Sequence, residues 1–383
     1  MTPVAPSSRS AALHDERSSP VVAVDCNGAD LGPAEVAAGA ALAAQAGARV
    51  LLFGPARELG EPPAGVELVD APVSIAKAPD PVLAVRSTPQ ASIVQAAAAV
   101  AQGRADALVC AGATGAALAA GMFNIKRARG IYRPALAIPL PVGGRDHRQV
   151  TLLDVGASAD ARSEHLVQFA FMGAALARTV LGLDTPRVGL LSNGEEDARG
   201  SALVLETHAE LRQRTLDAPE GLDTFEFVGN VEGGDVVSGR ADVIVTDGFT
   251  GNVALKLMEG VSQAMLGAIR EAALSSPTAK LGGLLLRGAL RGFRDEIDPE
   301  ANGGAYLLGL RSLGVVPHGR FTRAGFAQAI LRAQRGARED IVAQTHAALE
   351  RAGALRRSPV STFASASTVD DDAASAASLR HAP

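Results

Sequence analysis

Short apolar runs that stop on a glycine, an aspartate or an asparagine and restart as a helix recur along this chain, and no other feature narrows its fold as far. The runs are VVAVD (21–25), ARVLLFG (48–54), DALVCAG (106–112), PALAIPLP (134–141), VTLLDVGA (150–157), RVGLLSNG (187–194), TFEFVGN (224–230) and ADVIVTDG (241–248). Strands alternating with helical patterns predict an α/β chain with a mainly parallel sheet covered on both faces. The composition agrees: alanine, valine and leucine dominate and tryptophan is absent, which suits buried parallel strands under alanine-rich helices. At 383 residues the chain can bury a sizeable core as one large unit or two domains.

In open sheets of this class ligands bind beyond the carboxyl ends of the strands. The strand-end loops are DCNGADLGP (25–33), CAGATGAAL (110–118), DVGASAD (154–160), SNGEED (192–197), GNVEGGD (229–235) and DGFTGN (247–252). None is a full GxGxxG or Walker sequence, so the nucleotide-binding signatures fail. What recurs is glycine beside a small polar residue at a helix start. Such glycines admit close backbone approach to a ligand, and free N–H groups of a first helical turn bind anions. Alternatively they only make tight turns. Six such loops, expected on one edge of the sheet, point to a site for a small anion.

The segment ADVIVTDGFTGNVALKLMEG (241–260) concentrates the candidates. Ala254, Leu257, Met258, Val261 and Met265 form one helical stripe, with Lys256, Glu259, Gln263 and Arg270 opposite. Lys256 is then either a solvated lysine, paired with Glu259 for about 0.2–0.5 kcal/mol, or an anion ligand. Asp247 is either a helix cap or a group that orients or deprotonates a substrate, with Asn252 as donor. In TAKLGGLLLRGALRGFRDEI (278–297) a basic face of Lys280, Arg287, Arg291 and Arg294 lies away from Leu281, Leu285, Ala289, Leu290 and Phe293. Basic amphipathic helices of this kind pack on a partner subunit or rest on anionic membranes.

Several classes are excluded or disfavoured. A net charge of −5 with mixed signs argues against nucleic acid, and no run reaches the ~20 apolar residues of a membrane span. With no basic-then-apolar opening a cytoplasmic location is expected. Cys26 and Cys110 lack metal-ligand spacing and read as inert buried thiols. Residues 1–19 and 358–383 read as a disordered lead and a low-complexity tail around a folded 20–352.

The chain resembles the PlsX family, phosphate acyltransferases of bacterial phospholipid synthesis, over most of residues 21–335. The resemblance rests on VAVDCNGADLGP, DALVCAGATGA, IYRPALAIPLP, LLDVGASADARSEHLVQFAFMGAALAR, RVGLLSNGEEDARGS, FVGNVEGGDVVSGRADVIVTDGFTGNVALK and NGGAYLLGL…PHG, in family order. It implies a Rossmann-like α/β/α sandwich, phosphotransacetylase-like, with a protruding helical hairpin at 253–297 for dimer and membrane contact. It implies acyl transfer from acyl carrier protein to inorganic phosphate, without metal or nucleotide. Asp247, Gly251, Asn252 and Lys256 match the family's Asp-x-x-x-Gly-Asn turn and following lysine, making Asp247, Asn252 and Lys256 the catalytic candidates. Phosphate- or substrate-binding candidates are Asp25, Gly28, Asp30, Gly112, Thr114, Gly115, Asp154, Gly156, Glu195, Asn230, Glu232, Gly251 and His318. Arg127, Arg129 and Arg133 are candidates for docking the acidic carrier protein.

Departures from the family pattern are local. Ala113 stands where the family has asparagine, Ser158 likewise, and Asn193 replaces an apolar residue; the amide gained at 193 replaces the one lost at 113 only if the two meet in space. Two alternatives follow: a diverged paralogue using another acyl thioester, short-chain or coenzyme A-borne, or a member that binds or organises membrane without catalysis.

Overall fold

The computed structural model describes residues 19–142, 149–216, 225–296, 298 and 300–356, with side chains described over the same residues except 289, 290 and 293–296. The expected lead, save Ser19, and the expected tail lie outside these, as do the side chains of Ala289, Leu290, Phe293 and Arg294. The strands are β1 (Val21–Asp25), β2 (Arg49–Gly54), β3 (Val66–Asp70), β4 (Ala107–Cys110), β5 (Ala135–Pro141), β6 (Gln149–Leu153), β7 (Arg187–Leu191), β8 (Glu226–Val231), β9 (Val243–Val245), β10 (Ala305–Leu308) and β11 (Leu313–Val316). All eight apolar runs of the sequence form strands; β3, β10 and β11 are additional. They pair as one sheet in the order β3-β2-β1-β4-β11-β10-β5-β6-β9-β7-β8.

Pairing directions reverse across the middle of this sheet. β3, β2, β1, β4 and β11 are mutually parallel, as are β6, β9, β7 and β8. Between them β10 is antiparallel to both β11 and β5, and β5 is antiparallel to β6. Three reversals leave the two parallel blocks pointing in opposite senses. The carboxyl ends of β1, β4 and β11 therefore form one rim, here the upper, and those of β6, β7, β8 and β9 the lower. The expectation that six loops share one edge is corrected: 25–33 and 110–118 lie on the upper rim, the other four on the lower. The seven residues of β5 set the rims about 20 Å apart at ~3.3 Å per residue.

Successive strand residues point to opposite faces. Val22 and Val24 enter one core with Val50 and Leu52, while Ala23, Leu51 and Phe53 enter the other. Helices cover both faces; Pro33–Gln45 packs on Arg323–Arg338, and Ser163–Leu181 on Ile341–Arg351. The long helix Gly248–Leu274 leaves the lower rim, passes over β6, and is followed by Pro277–Glu296, which packs back on it as a hairpin. Among the described residues no helix is long and apolar enough to cross a membrane.

β5 carries the feature that matters most for the site. Its register with β10 ends at Ala137, and beyond lie Ile138, Pro139, Leu140 and Pro141. Proline has no N–H to donate, so a second neighbour cannot continue its ladder there. The upper half of β5 is thus paired on the β6 side only, leaving an open strip of sheet beneath the long helix.

Candidate active site

On the lower rim Asp154 organises the loop after β6. Its carboxylate accepts from the amides of Leu136 (2.9 Å), Gly156 (3.1 Å), Ala157 (3.0 Å) and Ser158 (2.7 Å). Burial pushes its pKa up, against the pull of those four amides. Ser158 is buried too, its hydroxyl donating to the Pro134 carbonyl at 3.2 Å. Asp154 is fully buried, with Oδ1 accepting three of those amides and Oδ2 one.

The DGFTGN turn locks onto this loop. A methyl at Gly248 would meet the Asp154 carboxylate at 2.7 Å, and one at Gly251 would overlap the Asp154 carbonyl oxygen. Both glycines exist for backbone contact. Asp247 is the helix cap: Oδ1 accepts from the Phe249 (3.0 Å) and Thr250 (2.8 Å) amides, and Oδ2 from the Thr250 hydroxyl (2.7 Å). The Gly248 amide is taken by the Ser158 carbonyl and that of Gly251 by the Asp247 carbonyl. All four N–H groups of the first turn are occupied, so the expectation of an anion seated on this helix end is not met.

Asn252 and Lys256 remain. Asn252 is half-buried and faces Gly156, 3.8 Å from where a β-carbon would stand. Lys256, one turn on, is exposed and has no ion-pair or hydrogen-bond partner among the described residues; the pair with Glu259 does not form. A cleft of about 330 Å³ opens on the other flank of the helix start, lined by Ser192, Asn193, Ser201, Gly233, Asp247 and Thr250. The buried Ser192 hydroxyl there has no hydrogen-bond partner among the described residues.

The helix that carries Asn252 is turned unexpectedly. Leu257, Val261 and Met265 of its apolar stripe face outward, Leu257 65% and Met265 59% exposed, while Met258 of that stripe joins Leu255, Glu259, Ser262, Gln263 and Leu266 in lining a cavity of about 540 Å³ over the open strip of β5. Sequence reading missed Leu255, Ser262 and Leu266. Their signal is positional: they follow Asn252 at i+3, i+10 and i+14, one helical face.

The upper-rim turns interlock. A methyl at Gly28 would overlap the Ala111 carbonyl oxygen; one at Gly112, whose φ is +78°, would collide with Gly319; one at Gly115 would meet Pro81 at 2.9 Å. The Asp30 amide donates to the Gly319 carbonyl at 2.8 Å. Asp25 is buried, accepting from the Ser92 hydroxyl at 2.6 Å and the Asn27 amide at 3.2 Å, and burial raises its pKa. Cys26 and Cys110 are buried thiols whose pKa burial also raises. Thr114 is half-buried, its amide donating to the Gly112 carbonyl at 3.2 Å. Exposed His318 accepts from the Arg320 amide at 3.2 Å and stacks on Phe321. The turns that carry the expected phosphate cradle at 112–115 pack closely on their neighbours, and they lie on the rim opposite the Asp247–Lys256 turn. Ala113 and Asn193 likewise lie on opposite rims and cannot substitute for each other.

The remaining candidates hold loops. Asn230 is buried, its Oδ1 accepting from His208 Nδ1 at 3.0 Å and its Nδ2 donating to the Glu196 (2.8 Å) and Arg199 (3.3 Å) carbonyls. Glu195 pairs with Arg240 at 2.6 Å. Glu232 caps the short turn Gly233–Val237, its amide donating to Asp235 at 3.0 Å.

An exposed basic surface borders the lower rim. Arg129 and Arg133 are exposed, as are Lys126, Arg162, Arg311 and Arg356. Backbone bonds gather them: the Arg311 amide to the Lys126 carbonyl (3.0 Å) and that of Arg356 to Gly130 (2.8 Å). His165 has its pKa lowered first by burial, then by Arg133 and Arg162 against Glu164 and Asp160. Arg127 is not part of this surface; half-buried, it donates to the Ile131 and Tyr132 carbonyls.

This mixed α/β fold is similar to that of solved phosphotransacetylases. A phosphotransacetylase from Staphylococcus aureus matches it with a TM-score of 0.53 at 19% identity, covering 83% of this chain and 94% of the other. One from Streptococcus pyogenes matches at 0.53 and 17% identity, covering 82% and 93%. The chain belongs to the fatty acid synthesis protein family, whose model matches residues 21–344. Relatives named phosphate acyltransferase include that of Nitratidesulfovibrio vulgaris, 40% identical over 320 residues, covering 82% of this chain and 90% of the relative. That of Desulforudis audaxviator is 41% identical over 325 residues, covering 84% and 93%.

Proposed function

We propose that this protein is a phosphate acyltransferase, moving a fatty acyl group from a thioester to inorganic phosphate to give an acyl phosphate for phospholipid synthesis. The observation that carries this is the 40% identity over 82% of the chain to relatives of that name. A phosphate oxygen attacks the thioester carbonyl, a C–O bond forms, and the C–S bond breaks to release thiol. Phosphate is anionic at neutral pH and a thiol leaves readily at a pKa of about 8.5, so the protein's task is to position the reactants and stabilise the oxyanion. Lys256 supplies charge to phosphate and oxyanion, and the Asn252 amide supplies a donor. Asp247 acts through position alone, since both its oxygens are engaged in the cap.

The donor we assign is acyl carrier protein. The basic surface around Arg129 and Arg133 beside the lower rim complements an acidic partner, steering encounter. The outward apolar stripe of the long helix supports a homodimer contact, with the exposed Leu281, Leu284 and Leu285 of the hairpin facing a second copy or a membrane surface. The test is phosphate-dependent thiol release from palmitoyl-acyl carrier protein. Arg129→Glu with Arg133→Glu is expected to raise KM for that donor about tenfold, leave kcat near normal, and weaken its dependence on salt. Unchanged KM and salt dependence would remove this surface from donor docking.

A further inference from the structure

The cavity over β5 runs beside the long helix from Leu255 to Leu266 and is bordered by a cluster of polar side chains. Its apolar walls are Ile138, Leu140 and Pro141 of β5 with Val237, Leu255, Met258 and Leu266, and Glu259, Ser262 and Gln263 line it from the same helix. The helix positions that line it continue the face on which Asn252 sits, and from Asn252 to Leu266 the helix rises about 21 Å at 1.5 Å per residue. That is the length scale of an extended long-chain acyl group. The bordering polar groups satisfy each other. The Glu300 carboxylate accepts from the Thr322 amide (2.9 Å) and hydroxyl (2.6 Å), Asp298 from the Glu300 amide (3.0 Å), and Asn302 from Gln149 (3.0 Å). Such a wall needs no ligand and offers a terminal methyl nothing.

We propose that this groove holds the fatty chain of the acyl donor, its carbonyl at Asn252 and its methyl end toward Leu266, and that the Asp298–Glu300–Asn302–Thr322 wall limits chain length. The inference rests on the phosphate acyltransferase reading. A second copy of the chain is the weaker occupant, because the exposed Val253, Leu257, Val261 and Met265 stripe lies on the other side of the helix and is what such a copy would cover. The β5 side of the groove is apolar, as a fatty chain requires, and the strip is open because Pro139 and Pro141 bar β10 from extending along β5.

The experiment is a chain-length profile of kcat/KM, from octanoyl- to stearoyl-acyl carrier protein, for wild type, Leu266→Trp and Ser262→Phe. In wild type kcat/KM is expected to rise with chain length by up to about fourfold per added methylene until the groove is full. Leu266→Trp, displacing about two methylenes, is expected to cut palmitoyl transfer about 15-fold while octanoyl transfer is unchanged. Ser262→Phe, at a half-buried helix position, is expected to shift the optimum the same way and serves if the tryptophan variant does not fold. Folded variants whose profile matches wild type, or lose octanoyl and palmitoyl transfer equally, overturn the acyl groove. A change of oligomeric state with an unaltered profile assigns the groove to a subunit contact and also overturns it. Absence of phosphate-dependent release by wild type at every chain length overturns the acyltransferase reading, and the groove with it.

Discussion

The upper and lower rims carry the same sequence signature and do different things with it. At the upper rim Gly28, Gly112 and Gly115 let three turns mesh backbone to backbone, and Asp25 is consumed by Ser92 and Asn27. At the lower rim Gly248 and Gly251 do the same against the Asp154 loop, and Asn252 and Lys256 follow on the helix whose next residues, from Leu255 on, line the cavity over β5. Glycine beside a small polar residue therefore reports close packing at both rims. At the lower rim Asn252 and Lys256 keep their polar capacity, while at the upper rim the Asp30 carboxylate and the Thr114 hydroxyl likewise have no partner among the described residues.

The comparison breaks first at Lys256. Lys256→Ala is expected to cut turnover at least about 100-fold, the scale of one lost oxyanion donor, whereas Asp247→Asn, which keeps an Oδ1 acceptor for the cap, stays within a few-fold. Steady-state kinetics on both variants checks this, and a large loss in Asp247→Asn would make it the base rather than the cap. Next, Gly251→Ala is expected to destabilise by about 1–3 kcal/mol through overpacking, while Gly233→Ala, with open space around it, changes stability by less than about 0.5 kcal/mol. Chemical denaturation of the pair sharpens the claim that these glycines serve packing. The smallest effect concerns Asp25. Its pKa is raised by burial, so as pH climbs above about 3.8 the unfolded state loses its proton before the folded state does, and stability falls. The wild-type unfolding free energy is expected to decline relative to Asp25→Asn over that rise; parallel pH profiles would show that the carboxyl does not titrate late.

Much of the fold was readable because buried strands need apolar runs, and all eight runs became strands. β3 was missed since it alternates as a half-exposed edge, and β10 and β11 because four residues carry little pattern. The reversal of strand sense was legible in principle. Only residues 142–148 join β5 to β6, and 309–312 join β10 to β11, too few for a parallel crossover of a dozen or more. At the candidate site, Asn252 and Lys256 were found through the helix that follows an apolar strand. Asp154 and Asn230 were read as binding groups, and Asp247 as a catalytic group or a helix cap, because a carboxylate or amide at a strand end looks alike whether it meets a ligand or a backbone amide.

By itself, then, the amino-acid order determined which segments are strands and helices, that the layers are α/β/α, and which family the chain joins, because local periodicity and turn chemistry act over a few residues. Tertiary structure alone decided which polar groups are spent, which rim each loop occupies and that a cavity lies between β5 and the long helix. Those depend on contacts between residues far apart in the chain, where the partner of a carboxylate, not its identity, sets what it can do.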